Sequence, residues 1–193
     1  MTKKETLWRH ILHESLVNRV QTFTQKELAE RFSVSTSTVF NALKAPRKLG
    51  AVAVTGRFFR VRSAEKLLFL WATQRNLKKD LVYATHVEAP IGDVEGAMPP
   101  KVIFGAFSAY RLKYHEAPAD YSAVYVYSHE VESLKKRFPP QKGTPNLFVL
   151  KPDPHLANFG PTTPDVQTFA DLWNIPEWYA KDFLDALKKK MNL

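Results

Sequence analysis

The chain has 193 residues, no cysteine, and 28 Lys or Arg against 19 Asp or Glu, a net charge of +9. Its 45% hydrophobic and 12% aromatic content suffices for a core and excludes a disordered chain, and the lack of cysteine excludes disulfides and thiolate zinc sites. No run approaches the ~18–20 apolar residues that span a bilayer, and the basic start MTKKETLWRH has no apolar signal-peptide run behind it, so the expectation is a soluble, cytoplasmic protein without membrane contact.

Residues 4 to 18 carry the first pattern. Leu7, Ile11 and Ser15, with Trp8, Leu12 and Leu16, repeat at helical spacing. His10 and His13 sit among them with no acid or cysteine pattern for a metal, and are expected at the surface.

Thr24 begins the next helix, and Glu27 three residues on completes a capping box. Leu28, Ala29 and Phe32 form its apolar face. Ser33 and Val34 break the pattern, and Ser35 caps a second helix. At about 100° per residue, Val39, Phe40 and Leu43 fall on one side of that helix. Ser37, Thr38, Asn41, Lys44 and Lys48 fall on the other, with no acid among them. Short hydroxyl and amide groups can read base edges in a major groove, and lysines can meet phosphate. Pro46 lies inside the run; because proline removes a donor and kinks a helix, a bend or separate turn is expected near Arg47 and Lys48. Gly50 can end the helix in a left-handed conformation.

Two β-prone runs follow, AVAV and RFFRVR about Thr55-Gly56. Val52, Val54, Phe59 and Val61 share the inward parity. Phe58, Arg60 and Arg62 share the outward one, with Arg57 near the turn.

Two helices followed by a basic hairpin resemble the winged helix-turn-helix family. The resemblance covers about a third of the chain and implies duplex DNA as partner. The residues placed to touch it are Ser35, Ser37, Thr38, Asn41, Lys44, Arg47, Lys48, Arg57 and Arg60. The competing reading is a small helical subdomain whose basic face is only solvated. Charge distribution favours the first: residues 1–62 hold 12 Lys or Arg and 4 Asp or Glu, net +8, leaving +1 for the rest.

Ser63 caps an apolar helix with Leu67, Leu68, Leu70 and Trp71. The division expected is therefore 1–62 and 63–193, with 63–76 a bridging helix. Beyond it, residues 81–87 read as a strand, 92–100 as a Gly- and Pro-rich loop, and 102–114 as an aromatic-rich helical run. Residues 121–128 and 146–152 read as strands either side of a short charged helix (129–138). Tyr121, Tyr125 and Tyr127 share strand parity and are expected in a core rather than as base-stacking rings. Residues 153–166 are mostly loop, and two helices close the chain, the last opened by Pro176 and ended by lysines. The fold class expected is α+β, a winged helix-turn-helix domain followed by a smaller-sheet mixed α/β C-terminal domain.

The runs YSAVYVYS, NLFVLKP and TPDVQTFADLWNIPEWYAKDFLDAL are similar to the C-terminal region of the AbiEi family, the antitoxins of type IV toxin–antitoxin systems. The likeness centres on residues 164–178, with Asp171-Leu172 before a short turn and helix. It implies a transcriptional repressor of its own operon. It also implies a functional partner toxin resembling a nucleotidyltransferase, countered without a stable complex.

No enzyme motif emerges. The chain lacks a dinucleotide or phosphate loop, a nucleophile elbow, an Asp/Glu-x-Lys triplet, and a Gly-Ser pair with paired aspartates. His86, His115, His129 and His155 are scattered. No catalytic residue, metal or cofactor is expected. Two other functions stay open: an effector-responsive regulator with a pocket in 63–193, and a nucleic-acid-modifying enzyme with a DNA-targeting module. Oligomeric state is left open.

Overall fold

Thr2 caps the first helix, α1 (Lys3–Leu16), in a reciprocal box with Glu5. Leu7, Trp8, Ile11 and Leu12 are buried, as their spacing predicts, but so are Glu5, Arg9 and His10. Three helices pack around α1, so it has almost no polar outer face, and the expectation of a surface His10 is corrected. The computed structural model describes residues 1–193 and is an α+β fold with nine α-helices and two small sheets.

The short strand β1 (Thr22–Thr24) runs directly into α2 (Gln25–Arg31), where Thr24 and Glu27 form the expected capping box. α3 (Thr36–Lys48) starts at Ser35, whose Oγ accepts the Thr38 N–H at 3.1 Å. It ends as a Schellman motif. Gly50, at φ 72°, donates to the Arg47 carbonyl, and Ala51 donates to that of Pro46. β2 (Val52–Thr55) and β3 (Phe58–Val61) form an antiparallel hairpin across Gly56-Arg57, with Gly56 at φ 57°, the geometry two-residue hairpin loops favour. β1 joins the free edge of β3, giving the order β1-β3-β2. Phe23 stacks on Phe59 with centroids 5.5 Å apart. The sequence pattern did not predict β1, because three residues are too few to show alternation.

α3 is continuous through Pro46, contrary to the expected break. Proline 46 has no N–H to give the Ala42 carbonyl one turn back. The buried indole of Trp8 supplies the donor instead, with Nε1 2.9 Å from the Ala42 oxygen. The same bond pins α1 to the back of α3.

α4 (Ala64–Gln74) buries Leu67, Leu68, Trp71 and Ala72. It packs on α1 and on α8 (Asp165–Leu172), so one apolar core runs from Leu7 to Met191. The remaining elements are β4 (Leu81–Thr85), α5 (Ile91–Gly96), β5 (Ile103–Gly105), α6 (Ala106–Tyr114), β6 (Val124–Tyr127), α7 (Val131–Arg137), β7 (Leu147–Leu150) and α9 (Ala180–Met191). The sheet order is β4-β7-β6-β5. β6 and β7 are parallel, joined by α7, and the other pairs are antiparallel. At four strands this sheet is the larger of the two, not the smaller. Tyr125 and Tyr127 face the main core, while Val124, Val126, Leu147 and Val149 face a second apolar cluster with Leu134 of α7.

Three local expectations change. Residues 91–96, overlapping the first half of the expected 92–100 loop, form α5. The run 102–114 is a strand and a helix with no linker, Ala106 turning the corner at φ 48°, which is why the pattern reads as one element. α9 begins at Ala180 rather than Pro176. No helix is long and apolar enough to cross a membrane.

Two buried charge clusters tie the segments together. Arg9 of α1 grips Asp153 through both terminal nitrogens at 2.7 Å and also donates to the Gln167 side chain. At the end of α4, Arg75 donates to Asp171 (2.9 Å), Asp80 (2.6 Å) and the Tyr127 hydroxyl (3.1 Å). Tyr127 in turn donates to Asp171 at 2.5 Å. Burial pushes the Asp171 carboxyl above its usual range while Arg75 pulls it the other way. Burial opposes the charge on Arg75, but Asp171, Tyr127 and Asp80 outweigh it and hold the guanidinium protonated.

Candidate nucleic-acid interface

α3 divides into two faces. Val39, Ala42, Leu43 and Pro46 are buried toward α1 and the rest of the core. Ser35, Ser37, Asn41, Lys44, Arg47 and Lys48 are exposed, and Thr38 is half-buried. Phe40, expected inside, is 41% exposed. Its ring lies under the Lys44 ammonium, 5.3 Å from Nζ to the centroid. This is a cation–π contact that leaves the charge at the surface.

The hydroxyls at the start of the helix already have work. Ser35 Oγ accepts the Thr38 N–H and lies 2.9 Å from Thr38 Oγ1. Ser35 is first an N-cap, and the pair presents its remaining hydrogen-bonding capacity outward. Ser37 and Asn41 have no side-chain bond to the protein, so their donors and acceptors are open.

The hairpin is next to this helix, α3 packing directly on β2. Arg60 lies at the middle of the central strand, paired with Thr22 and Ala53 on its flanks, and points away from the buried Phe59 and Val61. Arg57 sits in the turn and Arg62 just past the strand, both exposed.

Six exposed cations (Lys44, Arg47, Lys48, Arg57, Arg60 and Arg62) therefore lie on α3 and the adjoining hairpin, and none of them has a carboxylate partner. Unpaired like charges on one small segment set up a positive field that a polyanion relieves. Arg62 completes this set; its outward parity was legible in the sequence. The contribution of Trp8, which holds α3 from behind, was not, because the bond spans 34 positions and joins an indole to a main-chain oxygen.

The histidines behave differently. His86 Nδ1 lies 3.0 Å from the Thr144 carbonyl. His10, His13 and His155 converge on a cleft between α1, the end of α2 and the turn at 155–159. No group of three or more His, Asp or Glu is arranged to hold a metal ion. No protein-family model, curated protein or solved structure matches the chain.

Proposed function

We propose that this protein is a DNA-binding transcriptional regulator whose residues 1–62 act as a winged helix-turn-helix module. α3 enters the major groove and the β2–β3 hairpin contacts the backbone beside it. The observation that carries the reading is the composition of one face: open amide and hydroxyl groups at Ser37 and Asn41, flanked by six cations with no carboxylate partner. Its parts divide as recognition surfaces do, short polar groups for base edges and cations for phosphate.

We take the likeness of residues 121–128, 146–152 and 163–187 to AbiEi-type antitoxins to imply that the regulator is an autorepressor of a toxin–antitoxin operon. On this reading its partner in function is a nucleotidyltransferase-like toxin opposed without a stable complex. The protein is then a binding protein and not an enzyme, working in the cytoplasm with no cofactor.

The test is a gel-shift series at low salt with duplexes drawn from the sequence upstream of its own reading frame, against a scrambled duplex. A regulator shifts the cognate duplex at lower protein concentration. Asn41→Ala erodes the difference between the two duplexes, whereas Arg57→Ala or Arg60→Ala weakens both alike. Absence of any duplex binding at low salt ends the proposal.

A further inference from the structure

We infer that the cleft between α1, the end of α2 and the 155–159 turn is a binding site for a small oxyanion, a carboxylate or phosphate group on a compact ligand. The cleft has a volume of about 210 Å³, under the ~300–1,000 Å³ of sites for drug-sized molecules, so the ligand is small. Two guanidinium groups line it, Arg9 and Arg31, with one carboxylate, Glu14; Arg9 is already paired with Asp153, so Arg31 is the cation left without a carboxylate partner.

The two arginines are differently prepared. Arg9 is 1% exposed, and its plane is locked by the two-pronged bond to Asp153. Its Nε–H is buried without an acceptor. A charged donor left unpaired in a buried place is costly, and an oxygen supplied by a ligand removes that cost. Arg31 is exposed at the end of α2 and bonds to no side chain, so it is free to close on an anion.

The walls complete the fit. Phe32 meets His10 and His155 edge-on at 5.2 and 4.9 Å. Phe159 meets His13 at 4.9 Å and lies under the Arg9 guanidinium at 5.0 Å. These rings form apolar flanks, and the imidazole nitrogens and the Asn158 amide supply polar groups between them. Burial first, then the charge of Arg31, holds His10 down near 4 against the opposing pull of Glu14, whose carboxylate lies 3.7 Å from His10 Nδ1. The site does not depend on DNA binding by α3.

Titration of the full-length protein without DNA tests this, with potassium phosphate and potassium succinate as probes against potassium chloride at matched ionic strength. Calorimetry and the imidazole NMR signals are the two readouts. The expected result is saturable binding of at least one oxyanion, with His10, His13 and His155 signals moving together. Binding should weaken about tenfold or more in Arg31→Gln and stay unchanged in Lys26→Gln, which alters an exposed cation of α2 outside the cleft. Phosphate alone identifies a phosphoryl ligand, succinate alone a carboxylate ligand, and both a site that reads one oxyanion group. Failure of both anions to saturate, or equal weakening in the two variants, overturns the inference.

Discussion

Trp8→Phe tests how a helix that carries proline is kept whole. The substitution retains an aromatic ring but removes the indole N–H that reaches the Ala42 carbonyl at 2.9 Å. That carbonyl has no helical donor four residues on, because position 46 is proline. Leaving it buried and unpaired costs ~1–3 kcal/mol. The smaller ring adds roughly 1–2 kcal/mol, a fraction of full truncation of a large aromatic. Pro46→Ala restores a main-chain N–H at position 46, so in that background Trp8→Phe costs only the packing part. The two changes should therefore be coupled by ~1–3 kcal/mol. Urea unfolding of the four proteins, followed by far-UV circular dichroism, measures the cycle. Additive effects, with coupling under about 0.5 kcal/mol, would show that the indole is not the surrogate donor and refute the account of α3.

Three further outcomes are expected. If all six free cations reach phosphate, log K for duplex binding falls with log[salt] at a slope of ~−5, roughly a 10³-fold loss between 50 and 200 mM, and Lys44→Ala flattens the slope by ~1; anisotropy titrations in KCl check this, and a slope unmoved by Lys44→Ala places that lysine outside the interface. Arg75→Met strands Asp171 in the interior and should destabilise the fold by ~3–5 kcal/mol, while the double variant with Asp171→Asn recovers part of the loss; denaturant midpoints read both, and no recovery would mean that packing rather than charge sets the cost. Acid should weaken the fold through His10, which sits near 4 instead of 6.5 because it is buried and faces Arg31. The unfolded chain takes up that proton as pH falls below 6.5 and the folded chain does not until about 4. The stability is therefore whole above 6.5 and drains away between the two values, with His13 shifted in the same direction. The urea midpoint of His10→Gln should depend less on pH over that window than the parent's, and a pH-independent difference would contradict the burial of a neutral imidazole.

Much of the local structure is legible without coordinates. The Thr24–Glu27 box, the Ser35 cap, the Gly50 stop and the hairpin parity all appear where their chemistry puts them. These depend on neighbours a few positions apart. Failures of the same reading cluster where local and distant forces disagree. Phe40 has the right phase for the interior but is drawn outward beside Lys44. The run 102–114 keeps a helical rhythm although its first residues pair with β6, because sheet pairing is decided by a partner some twenty positions away. Pro46 reads as a breaker until the distant indole is known.

The amino-acid order by itself determined that the chain is basic at its start, folded, α+β in its mixture of elements, and equipped with a helix of open polar and cationic groups. Each of these follows from composition, periodicity or capping, which act over a turn or two. Only the tertiary structure decided which groups are alone and which are paired. It gathered His10, His13 and His155 with two arginines at one cleft, buried Arg9 and Arg75 against acids far along the chain, and left the six cations of α3 and its hairpin unpaired. Pairing depends on distance in space, and the energy of a charge is set by what surrounds it rather than by its neighbours in the chain.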